Sequence, residues 1–309
     1  MMGPDGRQRG MGRWFRWLSL FLGLIALGYV AAAASQSWSA GQVPWESISA
    51  RGLLLAFGAN AVGLFLLAYA WHFVLSRLGV RTSLEGSLYA WFTSNLYKYV
   101  PGQIWAPVGR VVIGAKLGVP ARAAVLTVGL EHMFSLLSAA FVLLAGLGKT
   151  VPAALVALAS LALAHPRAAN FALTLMDRFL RRPVSLVPLR WPQLIFLLVV
   201  VYSSLGLSLL ALAAVLLSLG LFEFAQVHVY AVALTGSLLA GMVFFGAPAG
   251  LGVREGVMLA VLTQAGMAKA DGATATLLLR VISILAEAAC FSVGAALLRL
   301  RAPHLGGDT

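Results

Sequence analysis

The chain has 309 residues, of which 61% are hydrophobic and only 10% charged, and its formal net charge is +12. Soluble domains carry about 45–50% apolar residues, so a water-soluble class is excluded and a multi-pass membrane protein is implied. The lone Cys290 excludes a disulfide framework or a cysteine metal site, and neither metal nor cofactor is expected.

In chain order, residues 1–16 form a basic tail. Trp17 to Ala34 reads as an uncleaved first transmembrane helix rather than a signal peptide, although Arg13 and Arg16 precede it. Leu53 to Leu75, Ala123 to Leu147, Val151 to Ala164, Gln193 to Leu219 and Ala273 to Leu298 complete six full crossings. Two further stretches are interrupted. Residues 84–116 are broken at Pro101-Gly102 and again at Pro107, and residues 228–266 are broken by "GAPAGLG" at Gly246 to Gly252. Proline lacks an amide hydrogen and glycine weakens a helix, so each stretch reads as a re-entrant hairpin of two half-helices. Between crossings, Pro166 to Trp191 reads as an interfacial helix, with Phe171, Leu175 and Phe179 at four-residue spacing and Asp177, Arg178, Arg181 and Arg182 as a polar rim.

With both hairpins leaving by the side they enter, fifteen Lys and Arg residues from Arg7 to Arg301 fall on one side and only Arg51, Lys149 and Lys269 on the other. Positive loops face the cytoplasm, so both termini are expected there, and the positive charge is explained by topology without a nucleic-acid partner. The drawing also contains a repeat. Two crossings, a broken hairpin and a third crossing span residues 17–147 and recur with opposite orientation over residues 151–298, followed by a cytoplasmic tail, 299–309. Matching Gly118 to Gly266 sets "KLGVPARAAVLTVGLEHMFSLL" against "QAGMAKADGATATLLLRVISIL" without a gap, with His132 opposite Arg280. The expected fold class is therefore an all-α polytopic membrane protein, an inverted repeat of about six full transmembrane helices and two re-entrant hairpins.

Charge at membrane depth costs at least about 2.5–3.5 kcal/mol, which is why such groups are usually paired and functional. The candidates are Lys98, Arg110, Glu131, His132, Arg254, Glu255, Arg280 and Glu287. Half-helices beginning near Ile104 and Val253 would present unpaired amides and positive dipole ends, a ready site for an anion, and the arginine fork suits phosphate. The plainer reading pairs Arg254 with Glu255, or Arg280 with Glu131 or Glu287, as buried ion pairs that lock helices. No Gly-rich phosphate loop, HExxH or GxSxG motif is present, so the chain does not read as an enzyme.

The motifs "KYVPGQIWAPVGR", "LEH" at Leu130 to His132 and "APAGLGVREG" at Ala247 to Gly256 resemble the transmembrane region of lysylphosphatidylglycerol synthases, a flippase-like family of bacterial and archaeal membrane proteins. The resemblance runs from Trp17 to Leu298. Pro101, Gly102, Arg110, Glu131, Pro248, Gly250, Gly252, Glu255 and Arg280 fall on the family's signatures, while His132 replaces an arginine and Gln103 a frequent basic residue. The resemblance covers the flippase portion alone, so aminoacyl transfer is not implied. It implies a lipid translocase of the bacterial cytoplasmic (inner) membrane moving an anionic phospholipid or a polyprenyl-phosphate-linked glycan. The alternatives are a scaffold for a cell-envelope glycan or lipid assembly enzyme and, less favoured, a membrane-embedded enzyme on lipid phosphates.

Overall fold

The structure is a computed structural model that describes residues 48–100, 104–179, 187–244 and 247–301. The expected first helix, the Pro101-Gly102 pair and the terminal tails beyond these bounds lie outside the described residues. All regular structure among the described residues is helical. It comprises α1 (Ala50–Arg77), α2 (Leu84–Leu96), α3 (Trp105–Lys116), α4 (Ala121–Gly146), α5 (Thr150–Leu163), α6 (Pro166–Phe179), α7 (Trp191–Ser218), α8 (Val227–Val243), α9 (Val253–Gln264) and α10 (Lys269–Arg301).

By length and hydropathy, α1, α4, α7, α10 and the segment Phe224–Val243, which includes α8, are each able to cross a membrane. The chain is therefore a multi-pass membrane protein. Four of these contain the apolar runs read as crossings. The fifth, Val151 to Ala164, is α5, whose 14 residues span only about 21 Å; it reaches membrane length only with Pro166–Ala172, across a 66° bend. Leu54 and Val151, each 69% exposed, belong to an outer apolar belt.

Local chemistry explains the boundaries. Ser83 caps α2, its hydroxyl accepting from the Gly86 amide at 3.1 Å. Pro107 lies in the first turn of α3 rather than interrupting it a second time, because the first turn has no acceptor for the amide that proline lacks. Helices α3 and α9 both end on a glycine of positive φ, Gly118 at 81° and Gly266 at 97°. The next amide then bonds five residues back, Val119 to Gly114 and Met267 to Leu262, closing each helix by a Schellman turn.

Helices α1 and α7, each 28 residues long, pack antiparallel. The Ser49 amide bonds the Ser218 carbonyl at one end, and the Val187 amide bonds the Leu78 carbonyl at the other, both at 3.1 Å. Helices α2 and α3 fold back on each other, with Gly86 near the start of α2 facing Leu117 just after α3. Helices α8 and α9 do the same, with Gly236 facing Val257 and Gly241 facing Arg254. Each hairpin is then crossed by the long helix that follows the other, since α10 packs on α2 and α4 packs on α8. Two apolar cores result, one around Trp71, Phe134 and Leu194 and one around Leu212, Leu216 and Leu262.

Candidate functional site

Where the broken hairpins face the long helices, a cavity of about 740 Å³ opens. All eight ionisable candidates line it: Lys98, Arg110, Glu131, His132, Arg254, Glu255, Arg280 and Glu287. Four cations thus meet three carboxylates, and the question is which charges cancel.

Arg110, on α3, is cancelled. Its guanidinium donates to Glu131 Oε2 at 2.7 Å and to Ser94 Oγ at 3.2 Å, and its centre lies 4.8 Å from the Trp91 ring. Trp91 Nε1 donates to the same Glu131 oxygen at 3.2 Å. Only 2% of Arg110 is exposed. A buried pair of this kind, with two of the five guanidinium N–H donors engaged, neutralises the charge of Arg110 and holds α3 against α2 and α4.

Lys98, on the 3₁₀ turn Tyr97–Tyr99, reaches across to α10 and donates to Glu287 Oε1 at 2.5 Å, while the Tyr99 hydroxyl donates to Glu287 Oε2 at 3.0 Å. The plainer reading of the sequence offers Glu131 or Glu287 as partners for Arg280, Glu287 lying two turns away on the same face of α10. The fold places Arg280 instead beside the second break, its Nε 3.4 Å from Glu255 Oε1, one Nη 3.5 Å from the Ala249 carbonyl oxygen and its centre 5.8 Å from the Tyr99 ring. Tyr99, in the first half of the chain, therefore contacts two charged groups of α10 in the second.

The second break is shaped by its glycines. Ala249 adopts φ 51°, ψ 22°, a left-handed conformation costly for a residue with a Cβ, and Gly250 and Gly252 follow at φ 68° and 80°. Glu255 folds back to accept the Gly252 amide at 2.6 Å, so the amide end of α9 already holds a carboxylate and is not the open anion cradle that a bare half-helix would offer. Arg254 threads a slot between Gly241 and Gly250, where a built Cβ would lie 2.5 Å and 2.8 Å from its side-chain carbons. Among the described residues, no carboxylate oxygen lies within 4.0 Å of the Arg254 guanidinium.

The remaining expected residues take supporting places. Pro248 and Gly250 are buried and do not line the cavity, which Ala249 reaches between them. His132 is exposed, its Nδ1 2.9 Å from the Val128 carbonyl oxygen of its own helix. Among the described residues no group of three or more His, Cys, Asp or Glu side chains could hold a metal ion.

Sequence reasoning overlooked the hydroxyl and amide groups on the cavity, among them Asn60, Ser204, Ser208 and Ser237. The signal was present: Asn60 stands alone in an apolar helix, and Ser204 and Ser208 recur at helical spacing. No curated protein matches the chain. The family model for the lysylphosphatidylglycerol synthase TM region matches residues 16–289, nearly the full length and all the lining residues just described. The chain therefore belongs to the lysylphosphatidylglycerol synthase transmembrane-region family.

Proposed function

We propose that this protein is a non-enzymatic lipid translocase of the bacterial cytoplasmic membrane, moving an anionic phospholipid or a polyprenyl-phosphate-linked glycan between leaflets. The observation that carries the reading is a cavity lined from both broken hairpins, in which Arg254 has no carboxylate within ion-pair distance among the described residues. At membrane depth an uncompensated charge is costly, so its retention in a slot made by two glycines favours a role in binding. An anionic head group supplies the missing partner, and Arg280, only loosely held by Glu255, adds a second contact. In this reading Arg110 and Glu131 brace the chamber, and Lys98, Tyr99 and Glu287 latch the first break to α10.

The two hairpins act as re-entrant elements of an inverted repeat. Supporting this, α3 and α9 start at residues 105 and 253 and end at 116 and 264, a constant separation of 148, which also relates the starts of α4 and α10 at 121 and 269. The antiparallel α1–α7 pair and the exchanged α2–α10 and α4–α8 contacts are what two halves related by an axis in the membrane plane generate. Such halves move a substrate by rocking about a midplane site. The excess of positive charge on one set of loops supports a cytoplasmic location for both termini.

The test is reconstitution of the full chain into liposomes with acyl-labelled anionic lipids, and separately with a polyprenyl-phosphate sugar. Wild type moves label between leaflets, whereas Arg254→Ala and Glu255→Gln lower the rate. Equal rates in all three remove these residues from the mechanism.

A further inference from the structure

We infer that His132 is a proton-controlled contact for the carried anion: its imidazolium holds the phosphate in the first-hairpin half of the cavity, and the neutral ring lets it go. This rests on the translocase reading above and asks only that the head group be anionic. The observation behind it is an imbalance between the two halves of the lining. Each half contributes four ionisable groups, Lys98, Arg110, Glu131 and His132 from the first and Arg254, Glu255, Arg280 and Glu287 from the second. In the first half Arg110 is paired with Glu131, and Lys98 is drawn across to Glu287. The second half keeps Arg280, 3.4 Å from Glu255, and Arg254. His132 is the remaining ionisable group of the first half, and it stands in no ion pair among the described residues.

The repeat offset gives His132 its place. The separation of 148 that relates α3 to α9 and α4 to α10 carries residue 132 to residue 280, so His132 answers to Arg280. The same step sets Pro107 against Glu255 and Ala106 against Arg254. The first half therefore has a titratable ring where the second has a permanent cation, and it lacks the counterpart of the carboxylate beside Arg280. His132 is the twelfth of the 26 residues of α4, near mid-helix, and is both exposed and on the cavity wall. Its Nδ1 lies 2.9 Å from the Val128 carbonyl oxygen. A carbonyl only accepts, so Nδ1 carries the proton of the neutral ring and Nε2 is the nitrogen that takes up a second. The N–H gained there is a charge-assisted donor for a phosphate oxygen. Imidazole changes charge between about pH 5 and 8, whereas a phosphodiester stays anionic, so proton and lipid favour each other's binding. Neighbouring elements supply no second group of this kind. To the wall α1, α7 and α8 bring only neutral side chains and α6 brings none, α5 has no ionisable residue, and Glu131, Glu255 and Glu287 each have a cation within 4.0 Å.

The experiment measures inter-leaflet movement of acyl-labelled phosphatidylglycerol by the full chain in proteoliposomes, at about pH 5.5 and about pH 8, with the same buffer on both sides of the membrane. Wild type is expected to move label about fivefold or more faster at the lower pH, the worth of one charge-assisted hydrogen bond. His132→Gln, which keeps a polar side chain but gains no proton, stays at the slow rate at both pH values. His132→Arg is fast at both. Because the two variants shift the rate in opposite directions, a folding defect, which only slows movement, cannot imitate the pair, and a thermal melt identifies it. A pH response in His132→Gln equal to that of wild type, a folded His132→Arg that is slow at the higher pH, or wild-type movement that does not rise on acidification overturns the inference and leaves the translocase reading standing. No movement of label by wild type at either pH overturns both.

Discussion

Arg254 and Arg110 carry the same side chain on the second half-helix of each hairpin, yet their surroundings assign them different work. Removing Arg110 strands the Glu131 carboxylate, 6% exposed, so Arg110→Leu should lower stability by about 3–5 kcal/mol, the typical cost of an unpaired buried charge. Arg110→Leu/Glu131→Leu should recover most of that loss. A thermal melt in detergent, read by near-ultraviolet circular dichroism, checks both, and a double mutant no better than the single one refutes the bracing role. Arg254→Ala should leave the melt within about 1 kcal/mol of wild type, because no described partner is stranded, while weakening binding of a phosphate-bearing lipid by about tenfold to a hundredfold, the worth of one or two charge-assisted hydrogen bonds. Native mass spectrometry with titrated phosphatidylglycerol measures that ratio.

At the scale of elements, the second break is a piece of backbone shaped around one side chain. A Cβ on Gly241 would sit 2.5 Å from Arg254 Cγ, so Gly241→Val should expel the arginine from its slot and reduce lipid movement as far as Arg254→Ala does, with α8 and α9 intact by circular dichroism. Ala249 tests the strain separately. Its φ of 51° costs about 1–2 kcal/mol in an L-residue, so Ala249→Gly should raise the melting midpoint; a lowered midpoint would mean that the Ala249 methyl group contributes more by contact than the backbone loses. The break was legible from Pro248, Gly250 and Gly252 because those residues act locally. The Glu255 turn onto its own helix end was not, because an acidic residue after such a break equally suits a ligand, a cap or a pair with its neighbour Arg254.

For the whole molecule, the repeat predicts sidedness. In a Cys290→Ser background, single cysteines at Arg51, Lys149 and Lys269 should react with an impermeant maleimide from one side of oriented vesicles, and those at Arg81 and Lys116 from the other. Lys116 and Lys269 labelling from one side would refute the inverted arrangement, since they end the first hairpin and begin the crossing after the second. The amphipathic α6 belongs to this scale too: Phe171 is 68% and Leu175 42% exposed, as expected of a helix lying at a bilayer surface.

The sequence by itself determined that the chain is helical and membrane-embedded, where four helices of membrane-crossing length lie, where helices break, and which ionisable residues line the cavity. All of these follow from length, hydropathy and backbone chemistry within a few turns of a given residue. Only the tertiary structure decided the pairing. Glu287 lies 189 residues from Lys98, and nothing local prefers that partner to Arg280 on its own helix face. Equally, the serines read as ordinary helix residues until α7 and α8 brought them to one cavity. Charges and hydroxyls in apolar stretches are conspicuous one at a time, but which of them cancel and which remain available depends on distances that only the folded chain sets.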